Sequence, residues 1–140
     1  MNLLVPMDDS EHAADALAYA FETHPEAAVT VVHVVGVPSM MMGGAVGLAL
    51  EEDFDRAAAD LAEPVFERAR EIAAEHGRDI ETEVAVGHPV RSIVRASEGF
   101  DAIVIGSHGV GRGETARRVL IGNVATGVVS RADVPVTVVR

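Results

Sequence analysis

Apolar, β-branched segments alternate along the chain with segments whose apolar residues recur at helical spacing. Five segments have the composition of strands, namely Asn2–Met7, Ala28–Val35, Ile80–Val86, Asp101–Gly106 and Val134–Val139. The second of them, AVTVVHVV, lacks polar alternation, which is typical of a parallel strand covered on both faces. The pattern therefore predicts a single-domain α/β protein. Its open five-stranded parallel sheet should carry helices on both faces, in a flavodoxin- or Rossmann-like order 3-2-1-4-5.

The segments between these strands are predicted to be helices. Ser10 stands where an N-cap belongs, because its hydroxyl accepts a free backbone N–H of the first turn. The apolar face of this first helix is predicted to consist of Ala14, Leu17, Ala18 and Phe21. The last two helices are predicted within Gly87–Gly99, where Pro89 stands near the start, and within Arg117–Ala132.

A long second helix is predicted from Glu51 to His76. Its inward face is predicted to consist of Phe54, Ala58, Leu61, Val65 and Ile72. Pro64 is expected to kink or split it, because proline removes one hydrogen bond and clashes with the preceding turn. Gly77 is expected to end it.

Residues 36–50, GVPSMMMGGAVGLAL, fit neither the strand nor the helix pattern. They predict a mobile loop, with or without a short helix. Met40, Met41 and Met42 within it suit a lid or a partner surface, because methionine adapts to irregular contacts. A disordered loop is the alternative.

The charge of the chain narrows its possible partners. The formal net charge is -11, and all 11 basic residues are arginine. Such a charge repels nucleic acid backbones and anionic membranes, so neither is an expected partner. An acidic surface without lysine suggests adaptation to high salt, as in a halophilic archaeon. A GC-rich genome that encodes arginine in place of lysine is the alternative.

The chain length and the absence of cysteine and of long apolar runs further restrict the possible domain organisation and location of the protein. A chain of 140 residues predicts one domain, residues 1–140. The absence of cysteine excludes disulfides, thiolate zinc sites and a cysteine nucleophile. No apolar run approaches the ~20 residues of a membrane-spanning helix, and the N-terminus lacks the pattern of a secretory leader. The cytoplasm is therefore the expected location.

Two polar loops, MDDSE and GSHGVGRGE, follow the first and fourth predicted strands. These strands are neighbours in the predicted order, so both loops should face one crevice at the carboxyl edge of the sheet, where α/β proteins bind ligands. Glycines in the second loop allow backbone N–H groups to approach a phosphate, and the following helix start favours anions. Arg112, Arg117 and Arg118 would add positive charge.

Standard enzyme motifs are missing from these loops. A Walker motif requires lysine, and GRGETA matches the dinucleotide fingerprint only loosely and after the wrong strand. The elbow G-x-S-x-G is absent, and the adjacent side chains of Ser107 and His108 are expected to point apart, which argues against a hydrolase. The histidines show no HxxxH or HxH spacing for a metal. His33, inside an apolar strand, is predicted to be a hydrogen-bonded core or sheet-edge residue.

Several ordered motifs together resemble the universal stress protein family of the UspA type. LLVPMDDSEHAADAL is similar to that family's V-P-x-D-x-S start, VAVGHPVRSIV to its V-x-x-G-x-P segment, and DAIVIGSHG to its fourth strand and turn. The resemblance spans the chain and implies a five-stranded sheet and a homodimer. The dimer would pair the apolar edge strands Val134–Val139 antiparallel across a two-fold axis.

In one branch of the family, the resemblance implies ATP or a related nucleotide in the crevice. Asp8 and Val34 would then contact the adenine, and Gly87 would lie near the ribose. The predicted nucleotide site comprises Pro6, Met7, Asp8, Val34, Gly87, Gly106, Ser107, His108, Gly109, Gly122, Asn123 and Val124.

The phosphates would lie against a family motif written G-x-x-G, nine residues, then G followed by Ser or Thr. Gly106, Gly109 and Gly122 match its three glycines. Twelve residues separate the last two of these glycines, and Asn123 replaces the Ser or Thr. An asparagine amide still donates to phosphate, whereas the longer loop could bulge outward or misplace the N–H groups.

Three classes of function follow from these residues, in decreasing order of support. The first is a nucleotide-binding stress protein that holds ATP or AMP, with Mg²⁺ accompanying a triphosphate, and acts as a sensor or regulator of an unidentified protein partner. The longer loop and Asn123 favour the second, a nucleotide-free dimeric interaction module. No positioned base or nucleophile stands out, so at most slow ATP hydrolysis is expected and a hydrolytic enzyme ranks third.

Overall fold

A computed structural model describes residues 1–36, 51–108 and 122–140, with only the backbone of residues 51 and 52. Its elements are β1 (Asn2–Pro6), α1 (Glu11–Thr23), β2 (Ala28–Val35), α2 (Glu51–Glu75), β3 (Glu81–Val86), α3 (Pro89–Ala96), β4 (Ala102–Gly106), α4 (Asn123–Arg131) and β5 (Val136–Val139). Several predictions lie outside the described residues. They concern the loop up to residue 50 with Met40, Met41 and Met42, then Gly109, and finally Arg112, Arg117 and Arg118.

The five strands form one parallel sheet in the order β3-β2-β1-β4-β5, which confirms the predicted order 3-2-1-4-5. The three inner strands are the most apolar, and Leu3, Leu4 and Val5 of β1 are fully buried. Burial on both faces is the reason these strands show no polar alternation. The outer strands β3 and β5 carry half-buried or exposed side chains.

Helices cover both faces of the sheet, as predicted. On one face, Leu17 of α1 and Phe66 of α2 pack in a cluster with Leu3 of β1. On the other face, Ile93 of α3 and Val128 of α4 pack with Leu4, Val32 and Ile103. Consecutive residues of β1 thus point to opposite faces, so one strand serves two cores.

Helix α1 begins as predicted, because the Ser10 hydroxyl accepts the N–H of Ala13 at 3.1 Å. Its buried face is rotated from the predicted one. Leu17 and Phe21 are buried as expected, whereas Ala14 and Ala18 are only half-buried. The remaining buried positions are Ala13, Ala16 and Ala20. These small side chains allow the helix to approach the sheet closely, which hydrophobic spacing alone does not reveal.

Helix α2 corrects the predictions that Leu61 points inward and that Pro64 splits the helix, whereas a kink at Pro64 stays a prediction. Leu61 is 64% exposed, because the buried stripe passes through Ala62 instead, and neighbouring helix positions lie about 100° apart. Pro64 does not split the helix, which continues from Glu51 to Glu75. Pro64 has no N–H for the carbonyl of Asp60, one turn earlier. Both residues lie on the exposed side of the helix, so water can hydrate that carbonyl. Phe54 is half-buried, and the predicted inward residues Ala58, Val65 and Ile72 are buried.

Some predicted boundaries are too wide. The fifth strand begins at Val136 rather than Val134, because Pro135 has no N–H for the ladder and contributes only its carbonyl, which accepts from Ile103 at 2.9 Å. Helix α3 is shorter than predicted but has Pro89 in its first turn. Within the described ranges, no helix is long and apolar enough to cross a membrane.

His76, next to the end of α2, gives the protein a small dependence of stability on pH. Its Nδ1 lies 2.9 Å from the Ile72 carbonyl, and this contact, together with Glu22, outweighs desolvation and raises the pKa above the ordinary 6.5. A raised pKa means that the stabilisation is complete below about pH 6.5 and is lost as pH rises through the folded-state pKa.

We therefore expect His76→Gln to destabilise the protein more in mildly acid solution than in alkaline solution. Urea unfolding of both proteins at about pH 5.5 and about pH 8.5 measures the difference. A stability gap that widens with rising pH would contradict the assigned contacts.

Candidate functional site at the carboxyl edge of the sheet

A cavity of about 330 Å³ opens where β1, β2 and β4 end, between the two faces covered by helices. Strand order reverses here, since β1 pairs with β2 on one side and with β4 on the other. Open α/β sheets bind ligands at such a switch point. Within the described residues, those directly after β1 and those directly after β4 both line it, as the sequence predicts.

The predicted site residues are largely brought together by this cavity. Those that line it are Pro6, Met7, Asp8, Val34, Gly106, Ser107, His108, Gly122, Asn123 and Val124. Gly109 lies outside the described residues, so its role stays a prediction. Gly87 is not among the described lining residues, and its φ of 136° instead serves the turn after β3. Its predicted position near a ribose therefore gains no support from this geometry.

Other lining residues were missed by sequence reasoning: Ser10, Ala13, Val32, His33, Pro89, Ile93, Ile105 and Ala125. Most are apolar residues at strand ends or in helices, and nothing local distinguishes them from core residues. Val32, Ile93 and Ile105 belong to the core cluster under α3 and α4, so the floor of the cavity is continuous with that core.

Ser10 joins the two loops of the cavity. The Asp8 carboxylate accepts the Ser10 N–H at 2.9 Å, which forms the turn after β1. The Ser10 hydroxyl caps α1 and also donates to the His108 carbonyl oxygen at 3.4 Å. One side chain therefore sets the start of α1 and holds the backbone of His108, two residues after β4.

The Ser107 side chain lies between two imidazoles. Its Oγ is 3.2 Å from His12 Nδ1 and 3.1 Å from His108 Nδ1. The centroids of the two imidazole rings are 5.4 Å apart. The expectation that Ser107 and His108 point apart is therefore wrong, because the bend after β4 turns both side chains inward. Ser107 is only 1% exposed, so it is too enclosed for a nucleophile, and the hydrolase interpretation gains nothing from this contact.

Two glycines of the predicted phosphate motif have a packing explanation. A Cβ on Gly106 would lie 2.6 Å from the backbone carbon and oxygen of His12. A Cβ on Gly122 would lie 2.6 Å from the Ser107 carbonyl oxygen, which accepts the Gly122 N–H at 2.5 Å. Both positions exclude a side chain whether or not a phosphate is bound.

The start of α4 forms one wall of the cavity. Gly122 is its N-cap, has no side chain to cap it, and accepts the N–H of Thr126 at 3.0 Å. The next residues, Asn123, Val124 and Ala125, occupy the first turn, whose N–H groups have no partner within a helix. All three line the cavity. This wall therefore presents backbone donors and the positive end of a helix dipole.

His33 contributes an acceptor to the opposite wall. Its Nδ1 lies 2.7 Å from the Met7 carbonyl oxygen, which confirms the prediction of a hydrogen-bonded histidine. A carbonyl only accepts, so Nδ1 carries the hydrogen and Nε2 of the neutral ring is an acceptor. Because His33 also lines the cavity, the ring is part of the candidate site as well as of the sheet.

The described parts of the chain contain no cluster of side chains suited to bind a metal ion. Residues 1–36, 51–108 and 122–140 contain no group of three or more His, Cys, Asp or Glu side chains placed to hold a metal ion.

Comparison with known proteins decides the family. The model of the universal stress protein family matches residues 1–140. The chain belongs to the universal stress protein family. Both this match and the sheet order agree with the resemblance seen in the sequence.

Three relatives show how far the similarity extends. The universal stress protein MJ0531 of Methanocaldococcus jannaschii is 31% identical over 146 residues, covering 99% of this chain and 81% of the relative. The solved structure of UspA from Lactobacillus plantarum is 27% identical with a TM-score of 0.73, covering 100% of this chain and 97% of that one. The universal stress protein of Archaeoglobus fulgidus in complex with dAMP is 27% identical with a TM-score of 0.66, covering 100% and 98%.

Proposed function

We propose that this universal stress protein binds an adenine nucleotide, AMP or ATP, in the cavity between β1 and β4. The first turn of α4 carries the proposal, because its residues line the cavity, it has no side-chain cap, and the free N–H groups of a helix start suit a phosphate. The relative from Archaeoglobus fulgidus, whose structure contains dAMP, supports the choice of nucleotide. The volume of about 330 Å³ is near the lower end of ligand pockets and suits one nucleotide rather than a dinucleotide.

The base would occupy the apolar side of the cavity. Val34 and Ile105 offer apolar contacts there, and His33 Nε2 would accept a hydrogen bond from the exocyclic amino group of adenine. Guanine has a carbonyl oxygen at the corresponding position, which an acceptor disfavours. The proposal therefore includes a preference for AMP over GMP. A triphosphate would bring Mg²⁺ with it.

The same protein is proposed to act as a homodimeric sensor or regulator rather than as a rapid enzyme. Among the described strands β5 is the last of the sheet, and this outer edge with its half-buried valines supports pairing of two copies. A partner protein would respond to nucleotide occupancy. The cytoplasm as its location and a halophilic archaeon as its source stay predictions from the sequence.

A nucleotide-free dimeric interaction module is the second candidate. The packing reasons for Gly106 and Gly122 favour it, because these glycines are needed even without a phosphate. Small molecules released from the denatured purified protein separate the two candidates. Stoichiometric AMP, ADP or ATP supports the first. An empty extract, followed by no binding of AMP or of ATP with Mg²⁺ in calorimetry, supports the second.

Asn123→Pro tests the assigned phosphate wall. Asn123 is the exposed first residue of α4, and Gly122 before it has φ -63° and ψ 158°, a conformation that a following proline accepts. The variant removes one N–H from the wall without breaking the helix. We expect AMP affinity to fall about 10-fold or more, since a hydrogen bond to a charged group is worth about 1.5–3 kcal/mol.

Asn123→Ala is the matched control, because it removes the same side chain and keeps the N–H. Its AMP affinity should fall less, and adenosine should bind both variants as it binds the wild type. Equal AMP affinity of Asn123→Pro and Asn123→Ala would contradict the placement of the phosphate against α4.

A further inference from the structure

One buried polar atom has no partner in the described protein, and it lies beside the proposed phosphate wall. His108 is only 5% exposed, and its Nε2 is buried without a hydrogen bond. Leaving such a group unpaired destabilises a protein, and native structures rarely do so without a functional reason. His108 is one of the residues that line the cavity, so a small shift of its enclosed ring would bring Nε2 to a ligand there.

The contacts of His108 with Ser107, and of Ser107 with His12, restrict which ring nitrogen of His108 carries the hydrogen. Ser107 Oγ has one hydrogen to donate and lies within bonding distance of Nδ1 on both His12 and His108. Oγ can donate to only one ring, and a ring that does not accept this hydrogen donates its own Nδ1–H to Oγ. A neutral His108 is therefore in one of two states: it accepts from Ser107 while His12 donates to Oγ, which makes a continuous chain of hydrogen bonds, or it donates its own Nδ1–H to Oγ.

These two states give His108 opposite roles toward the cavity. When His12 donates to Ser107 and Ser107 donates to His108 Nδ1, the neutral His108 ring carries its hydrogen on Nε2 and is a donor. When His108 donates from Nδ1, its Nε2 is bare and is an acceptor. A nucleotide phosphate is mostly dianionic near neutral pH and offers acceptor oxygens, so it selects the first state of the neutral ring.

The start of α4 and His108 are close enough to share one anion. The Gly122 N–H bonds to the Ser107 carbonyl, and a Cβ built on Gly122 would lie 3.3 Å from the His108 Cα. The first turn of α4 and His108 are thus neighbours in the lining of the cavity. Two kinds of donor there point to an oxyanion rather than to a neutral group.

We propose that His12 and Ser107 are positioning residues that hold His108 as an Nε2–H donor to a phosphate oxygen of the bound nucleotide. This inference rests on the proposed function and adds a specific contact to it. It assigns to the buried histidine a discrimination between nucleotide and nucleoside, because adenosine lacks the acceptor that Nε2–H needs.

Long-range ¹H–¹⁵N spectra of the histidine rings test the inference on the wild-type protein with AMP and with adenosine. The ¹⁵N pattern distinguishes a ring protonated at Nε2 alone from one protonated at Nδ1 or at both nitrogens. With AMP bound, we expect His108 to carry its hydrogen on Nε2 and His12 to carry its hydrogen on Nδ1. A bare Nε2 or a doubly protonated His108 ring would overturn the proposal.

Variants add a binding readout. Ser107→Ala and His12→Phe each break the chain, and His12→Phe keeps an aromatic ring near His108. AMP affinity should fall about 3- to 10-fold in both, the range of one neutral hydrogen bond, while adenosine affinity stays unchanged. His24→Phe, at the far end of α1, is the control that should leave both affinities as in the wild type.

The outcomes separate this inference from the proposed function. If AMP and adenosine both bind and the variants lower the two affinities equally, the positioning role is wrong while nucleotide binding stands. If neither ligand binds the wild type, the proposed function fails and the inference fails with it. The spectra of the wild type decide the question even if a variant does not fold.

Discussion

Replacing Gly106 by alanine is expected to destabilise the protein by about 1–3 kcal/mol in the absence of any ligand, as overpacking of a closed contact does. The added Cβ would lie 2.6 Å from the carbonyl carbon and oxygen of His12 and 2.9 Å from the Ala13 N. These are backbone atoms at the start of α1, so no rotamer change relieves the clash. Strand β4 and helix α1 would have to move apart.

Urea unfolding of the nucleotide-free protein measures this effect. Gly36→Ala is the matched control, because a Cβ there meets no atom of the described residues within 4 Å and its backbone needs no positive φ. The control should stay within about 0.5 kcal/mol of the wild type. If Gly106→Ala were as stable as Gly36→Ala, the close approach would be wrong, and phosphate binding would again be the best reason for the glycine.

The result bears on how glycine motifs are interpreted. A glycine beside a ligand cavity is commonly assigned to close approach of the ligand. Here the nearest group to Gly106 is a helix backbone, and the nearest to Gly122 is the Ser107 carbonyl. A loss of nucleotide binding on mutation of either glycine would therefore report a displaced α1 or α4 as readily as a lost phosphate contact.

Val138→Pro is expected to convert the proposed homodimer into a monomer while the fold remains. In the ladder with β4, the Pro135 carbonyl accepts from Ile103 and the Val139 carbonyl accepts from Ser107. Alternate residues of a parallel strand face alternate sides, so the N–H and C=O of Val138 face the open edge. Proline removes that outward N–H and is tolerated on an edge strand.

Light scattering after size exclusion, at several protein concentrations, gives the mass of each protein. We expect the dimer dissociation constant to rise at least about 10-fold, because the two-fold axis doubles every lost hydrogen bond. Val138→Ala keeps the N–H and should remain dimeric. A monomeric wild type, or a dimer of Val138→Pro with unchanged affinity, would show that β5 is not the interface.

How much of the site could be predicted depends on the distance between its parts in the sequence. The loops after β1 and β4 were predicted to meet, because strand order places them side by side and each loop is visibly polar. His12 was missed, since it lies within an ordinary amphipathic helix and meets Ser107 across 95 positions of sequence. The inward turn of Ser107 and His108 was missed for the same reason: it depends on contacts with α1 and α4.

The sequence by itself determined the elements, the parallel sheet, the order of its strands and the family. These follow from local patterns, namely continuous apolar strands, helical spacing and turn motifs, which each segment carries in its own residues. Only the tertiary structure decided which face of α1 and α2 is buried, why Gly106 and Gly122 have no side chain, and how His108 is held. Those features depend on the distance between backbones that are remote in sequence, and packing at van der Waals contact fixes that distance.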